Sequence, residues 1–313
     1  MIGFVGRRLL SGVALLLAIT TIAYLLLYLG GGDIARRILG ESATEENVAA
    51  RAAELGLDRP LVAQYGSWLR GAVTGDLGTS WFTGQPVAEA ITSRVAVTLS
   101  LVSGAVLLTA VLSVVLGVVA ATRGGWAGRL VQVLSVVGFA VPNFLVAVVL
   151  VLVFALGLGL VNPTGFVPLR TSVAGWAASV VLPVVALSLA GVASVSQQVR
   201  GAVLDALRED YVRTLRSRGL PERRVVLEHV LRNASGPALA VLAVQFVGLL
   251  GGAVIVEQVF AIPGLGQVAV QATTQGDIPL VMGLVVATAL IVIVFNLLVD
   301  LLQGWLNPKV RLS

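Results

Sequence analysis

Six long stretches of this chain carry no charged residue, and they leave few architectures open. They run 9–29, 95–121, 130–160, 173–199, 233–256 and 278–299. Each exceeds the roughly 18 apolar residues that mark a membrane-crossing helix. Lipid offers no partner to a backbone N–H or C=O, so a spanning segment must satisfy these groups internally, as a helix does. The alternation expected of a membrane β-barrel is absent. Only 12% of the 313 residues are charged, about half the share of a soluble domain. The expected fold is therefore an all-α integral membrane protein with six transmembrane helices.

Several chemistries drop out at once. There is no cysteine, one histidine (His229) and one lysine (Lys309), so no disulfide and no cysteine- or histidine-based metal set is expected. A phosphate-binding GxxxxGK[ST] loop needs a lysine that this chain does not place there. No paired carboxylates or nucleophile triad stand out, so the chain is not expected to be an enzyme. The net charge of +5 follows the ends of the apolar runs and does not point to nucleic acid.

Positive charge near span ends marks the cytoplasmic side. Arg7 and Arg8 precede the first run, Arg123 and Arg129 separate the second and third, and eight arginines fill 200–232 between the fourth and fifth. Lys309 and Arg311 follow the sixth. Six spans put all of these on one side and both termini in the cytoplasm. A cleaved signal peptide fits poorly, because the first run is long and Gly30-Gly31-Gly32 is a weak cleavage site. Residues 258–276 are also charge-free, but Pro263, Gly264, Gly266 and three glutamines argue for an external loop, plain or re-entrant, and against a seventh span.

Between the first two runs, 30–94 reads as a small helical external subdomain. Ser42 with Glu45 resembles a capping box opening a helix that Gly56 terminates. Pro60 restarts the chain, 61–73 reads as a second helix, and Pro86 to Arg94 leads into the second span. This divides the chain into 1–94, the first span plus the external subdomain, and 95–313, a five-helix core. Within the spans, Pro142 and Pro183 are candidate kinks, and Gly248 with Gly252 has GxxxG spacing. Asn143, Gln197, Gln198, Gln245 and Asn296 are polar groups in or at the ends of spans. Interhelical hydrogen bonding is the ordinary reading, and Asn143, Gln245 and Asn296 are the candidates for a translocation pathway. Asp300 closes the sixth span.

The segment 200–232 is too patterned for a linker. Leu204, Leu207, Tyr211 and Leu215 recur at steps of three and four, which predicts one helix over 203–218. Gly219-Leu220-Pro221 ends it, and a second helix follows from Glu222 to about Arg232. Membrane-surface charge alone explains the arginines but not the apolar stripe, the fixed turn or the interspersed acids. A protein contact explains all of them.

These residues also carry a family resemblance. The stretch from Glu209 to Leu220, EDYVRTLRSRGL, resembles the signature loop of ABC importer permeases of the dipeptide/oligopeptide group. Leu55-Gly56-Leu57-Asp58-Arg59-Pro60-Leu61 and Gly75-Asp76-Leu77-Gly78 resemble that family's external region. Val254 to Gly266, VIVEQVFAIPGLG, is similar to its motif after the fifth span, through Glu257, Phe260, Pro263, Gly264 and Gly266. Asn296 to Asp300 and Asn307 to Arg311 match its C-terminal pattern. Leu215 and Ser217 depart from the alanines usual there, Gln275 and Asn307 from a common arginine and aspartate, and Ser196 and Gln197 from an arginine.

The resemblance implies a type I ABC importer permease fold and a transport subunit without its own motor. ATP and magnesium would be used by two partner ATPase subunits, and the chain would bind no cofactor itself. The other implied partners are a second, homologous permease, an extracytoplasmic substrate-binding protein and membrane lipid. Tyr211, Val212, Arg213, Thr214, Leu215, Arg216, Arg218, Gly219 and Leu220 would couple to the ATPase. The implied location is the bacterial cytoplasmic membrane. The implied cargo is a short peptide, with nickel, glutathione or another small solute as alternatives. A self-contained channel or ion-driven carrier would show charge deep in its spans, which is missing here.

Overall fold

The computed structural model describes residues 2–30, 34–40, 42–123 and 125–306. Gly31, Gly32 and the C-terminal pattern from Asn307 to Arg311, with Lys309, lie outside the described residues. In chain order, α1 (Ile2–Gly30) is followed by three shorter helices, α2 (Ile34–Leu39), α3 (Glu45–Glu54) and α4 (Leu61–Thr74). Next come α5 (Val87–Arg123), α6 (Gly125–Ala140), α7 (Asn143–Leu150) with a π-helical extension Val151–Gly157, and α8 (Val173–Leu207). Then follow α9 (Asp210–Ser217), α10 (Glu222–Arg224), a π-helical stretch Val225–Val230 and α11 (Leu231–Val259). The chain closes with α12 (Leu265–Gln275) and α13 (Ile278–Leu306).

Among the described residues, five helical segments are long and apolar enough to cross a membrane: 6–30, α5, α8, Glu222–Val259 and α13. The third charge-free run differs from a simple span. It forms two helices bent by 95° at Val141–Pro142, because proline disfavours helical geometry in the residue before it and removes a backbone donor. Counted as one span, this bent pair brings the number to six. Pro183 has no such effect, and α8 runs through it uninterrupted. Residues 258–276 supply only the 11-residue α12, about 16 Å long at ~1.5 Å per residue and too short for a seventh span.

Two expected boundaries move. The cap of α3 is Thr44, whose hydroxyl accepts from the Asn47 N–H, and not Ser42. Thr44 stands directly before Glu45, where the first free amides lie. Gly56 ends α3 as expected, at φ +69°. Residues 87–94 are the first turns of α5 itself, not a separate lead-in.

Contacts divide the chain into two compact units. The first joins the chain up to Ala96 with Gly264–Ile293. Its apolar core brings Val87 and Ile91 of α5 against Leu265 and Ala272 of α12 and Leu280 and Leu284 of α13. α4 is pinned to α1 by aromatic and polar contacts. The Tyr24 and Tyr65 rings lie 5.4 Å apart, Tyr24 donates to Gln64 at 3.2 Å, and the Tyr65 hydroxyl meets Thr20 and Thr21 at 3.1 and 3.0 Å. Asp277, fully buried, accepts from Ser80 Oγ at 2.5 Å and from the Trp81 and Leu280 amides at 3.3 and 3.4 Å. It thus caps α13 and fastens the turn before α5.

The second unit, Val97–Pro263 with the chain from Val294, is organised around α8, which packs on α6, α7 and α11. Small residues permit close approach: a methyl group on Gly117 would sit 2.7 Å from Val199. Hydroxyls bridge the helices as well. Thr109 and Ser113 of α5 donate to the Ser188 and Val192 carbonyls at 3.5 and 3.3 Å.

Gly283 of α13 shows how tight the first unit is, since a Cβ there would lie 2.2 Å from Val87 Cγ1. Gly283→Ala is expected to cost about 1–3 kcal/mol through overpacking. Gly66→Ala, with nothing within 4 Å of its would-be Cβ, should stabilise α4 by about 0.5–1 kcal/mol. Thermal unfolding of the purified protein in detergent checks both, and equal midpoints for the two variants would contradict this packing.

Candidate functional site

The charged segment is an elbow joining two long rods. α8 has 35 residues and Glu222–Val259 has 38. At ~1.5 Å per residue each exceeds about 50 Å, against a hydrocarbon layer about 30 Å thick. Both therefore continue well beyond the bilayer, and the elbow sits at their ends. The expected single helix over 203–218 is broken at Arg208 and Glu209, where Glu209 is extended (φ −67°, ψ 146°). Burial explains the break. Val203, Ala206 and Val212 are buried, yet on an uninterrupted helix of 3.6 residues per turn Val212 lies half a turn away from Val203. The break turns Val212 inward. It also leaves Leu204, Leu207, Tyr211 and Leu215 only half-buried, so the true inner face is one of valines, completed by Val225, Val226 and Val230 of the π-helical stretch.

The turn after α9 is a Schellman motif. Gly219, at φ +79°, donates to the Arg216 carbonyl at 2.9 Å, and Leu220 donates to the Leu215 carbonyl at 3.3 Å. The left-handed position suits glycine because it has no Cβ. Pro221 then opens α10. Arg216 clamps the turn from outside, its Nε and Nη2 donating to the two Glu222 oxygens at 3.0 and 2.5 Å. Hydrogen bonding to Arg216 holds the Glu222 carboxyl below the ordinary glutamate range, and the same bond raises Arg216. Tyr211 is tied inward, its hydroxyl accepting from Asn233 Nδ2 at 3.4 Å. Arg213, Thr214 and Arg218 face solvent, with Arg213 in a loose 3.5 Å pair with Asp210. Among the proposed coupling residues, Tyr211, Val212 and Arg216 are thus engaged with other parts of the chain, and Arg213, Thr214 and Arg218 form the exposed outer face.

The polar residues of the spans occupy the second unit. Asn143 begins α7 just after the 95° bend, and its Nδ2 overlies Gly252, where a methyl group would sit 3.3 Å away. Gly252 and Gln245 are seven residues apart on α11, close to two turns, so Asn143 and Gln245 lie along one helix face. Gln245 and Asn296 are sequence neighbours of Phe246 and Phe295, whose rings stack with centroids 3.6 Å apart. Among the described residues none of these three side chains makes a hydrogen bond within the chain, so the interhelical bonding expected of them is not found inside this subunit.

The external-loop motif is built inward. Glu257 is fully buried and accepts from Thr98 Oγ1 at 2.6 Å. Phe260 is buried, and its carbonyl accepts from the Gly165 N–H at 3.0 Å. Gly264 caps α12 in an extended conformation, Gly266 is buried in its first turn, and Pro263 is exposed.

Residues 113–312 match the family model for the binding-protein-dependent transport system inner membrane component, and residues 1–102 match the corresponding N-terminal model. The chain belongs to this family. A putative peptide transport system permease protein of Brucella abortus is 37% identical over 312 residues, spanning 99% of both chains. A probable peptide ABC transporter permease protein of Sinorhizobium fredii is 35% identical over 98% of this chain and 99% of its own. The glutathione transport system permease protein of Salmonella typhimurium is 35% identical over 99% of both. In fold, the chain is similar to one from an inward-facing MetNI methionine ABC transporter, with a TM-score of 0.56 at 17% identity, over 71% of this chain and 98% of that one.

The permease also depends on residues that the sequence reading passed over. The sequence reading assigns no role to Asp277 or Thr98, and places Ser80 only in a turn-rich link. The usable signal was Asp277 directly before Ile278-Pro279, an acidic cap ahead of an apolar run.

The clamp on the elbow has a pH signature. Because the folded-state value of Glu222 is depressed, its contribution is complete above the unfolded glutamate value of about 4.3 and disappears as pH falls through the folded value. The pair is exposed, so Glu222→Gln should weaken the turn by no more than about 1 kcal/mol. Hydrogen exchange at the Gly219 and Leu220 amides, compared with wild type at equal pH, should show faster exchange near neutrality and convergence in acid. A difference that persists in acid would refute the clamp.

Proposed function

We propose that this permease couples ATP hydrolysis by separate subunits to import of short peptides, and that the elbow of α9 is the coupling element. The carrying observation is mechanical: a turn locked by a Schellman motif and an arginine clamp joins two rods that both continue into the membrane. A partner that moves α9 must move α8 and the 222–259 rod with it. The contact needs only to differ in energy between two states of the motor to bias two states of the permease.

The remaining assignments follow from family membership. A binding protein delivers cargo, a second homologous permease completes the pathway, and two ATPase subunits using ATP and magnesium sit beneath it. The elbow and both termini then face the cytoplasm across the bacterial cytoplasmic membrane, in accord with the arginine distribution. Peptide cargo is supported by the relatives named for peptide transport and by the one named for glutathione, itself a tripeptide. Asn143, Gln245 and Asn296, which make no hydrogen bond among the described residues, line the pathway or meet the second permease, because a polar group in the membrane requires one or the other.

The outer face of α9 makes the contact, with Arg213 and Arg218 pairing with motor carboxylates and Tyr211 and Leu215 shaping the seat. In a reconstituted complex, Gly219→Pro should remove binding-protein-stimulated ATP hydrolysis and transport together. Arg213→Glu with Arg218→Glu should weaken motor binding on the order of tenfold or more, as expected when exposed interface charges are reversed. Retention of tight coupling and motor binding in both variants would sink the proposal.

A further inference from the structure

The elbow uses the arginines beyond residue 207, but another group of cations remains where α5 meets α6. Arg123 ends α5, and Arg129 lies in the second turn of α6; both are exposed. Arg200 reaches this corner from α8. Its guanidinium lies over Gly128, where a methyl group would sit 3.8 Å from Nη2 and 3.9 Å from Nε. Arg200 Nε is buried without a hydrogen-bond partner among the described residues, and no ion pair there involves Arg123, Arg129 or Arg200. The sequence explains this, since no aspartate or glutamate occurs between Glu89 and Asp205. Arg200 therefore carries a buried donor whose desolvation is uncompensated. It lies beside a helix junction at which Arg129 directly follows Gly128 and Arg123 stands five residues before it, with no ion pair to any of the three among the described residues.

The adjoining surface narrows the missing partner. Trp126, Leu130, Val133 and Val137 recur at steps of three and four on α6 and are 77%, 46%, 57% and 52% exposed. They form one apolar stripe running from the basic corner along a membrane-embedded segment. The stripe starts with an indole, the side chain that favours the headgroup level. A free anion would satisfy the arginines and leave the stripe unexplained. An acidic protein surface would do the same. A molecule with an anionic head and apolar tails fits both.

We propose that this corner is a binding site for one anionic phospholipid. Its phosphate oxygens accept from Arg200 and Arg129, with Arg123 adding charge, and its acyl chains lie along the α6 stripe beside Trp126. Basic pockets between spans near the membrane surface are suited to such headgroups. The site is separate from the elbow and does not depend on how the elbow works.

The test uses the full-length permease with its companion subunits, reconstituted in phosphatidylcholine nanodiscs containing a minor share of phosphatidylglycerol. Native mass spectrometry then counts the phosphatidylglycerol retained on release. Arg129→Gln and Arg200→Gln should each weaken retention about fivefold, the effect of one basic residue at the membrane surface, and Arg200→Lys should restore part of it. Trp126→Ala should weaken retention, and Arg70→Gln on α4 should leave it unchanged. A double Arg129→Gln/Arg200→Gln variant that keeps wild-type lipid would overturn the proposal. So would inorganic phosphate displacing the lipid as effectively as added phosphatidylglycerol, or loss of a companion membrane subunit with lipid retained.

Discussion

Everything the elbow does depends on the packing of α8 against the rod that contains α11. The two are the longest-running partners in the second unit, and both outlast the bilayer. Their protruding ends need an apolar reason to stay together in water, and the valine cluster of Val203, Val212, Val225, Val226 and Val230 supplies it. Burying a valine is worth about 1.5 kcal/mol or more, well above an exposed ion pair. The arginines that dominate the sequence of this segment therefore decorate a structure that aliphatic packing holds.

Polar satisfaction is handled differently in different parts of the permease. Hydroxyls on α5 and α6 turn to carbonyls or hydroxyls of α8, and Glu257 and Asp277 are buried against Thr98 and Ser80. These groups are closed within the chain. Among the described residues, Asn143, Gln245 and Asn296 make no such bond and Arg200 Nε is buried without one, and the contrast separates groups that hold this subunit together from groups that do not. A buried donor without a partner is costly in a native protein, which applies to Arg200 Nε, whereas Asn143, Gln245 and Asn296 are half-buried.

Much of this was legible beforehand, for physical reasons. Spans announce themselves because charge is excluded from lipid over a fixed thickness. The Gly219-Leu220-Pro221 turn announces itself because left-handed backbone selects glycine. The 95° break at Pro142 was visible only as a kink, since sequence gives the lost hydrogen bond but not the angle. Periodicity predicts a single helix over 203–218 because it cannot show that Val212, off the leucine stripe, is buried where the Asp210–Ser217 helix packs on the Val225–Val230 stretch. Thr44 displaced Ser42 because two candidate caps stood two residues apart and the backbone could use only one. The Ser80–Asp277 contact joins positions 197 residues apart, and no local pattern encodes such a pairing.

That last contact bears on how the molecule is made. The first unit takes one apolar cluster from both Val87 and Leu284, so that cluster cannot close until the final span leaves the ribosome, whatever α1 and α4 have already formed between them. At ~5–20 residues per second, translation of the intervening stretch occupies on the order of 10–40 s. During that interval Val87 and Ile91 lack the α12 and α13 side chains that bury them in the finished unit, a window in which insertion machinery or a chaperone has the most to protect.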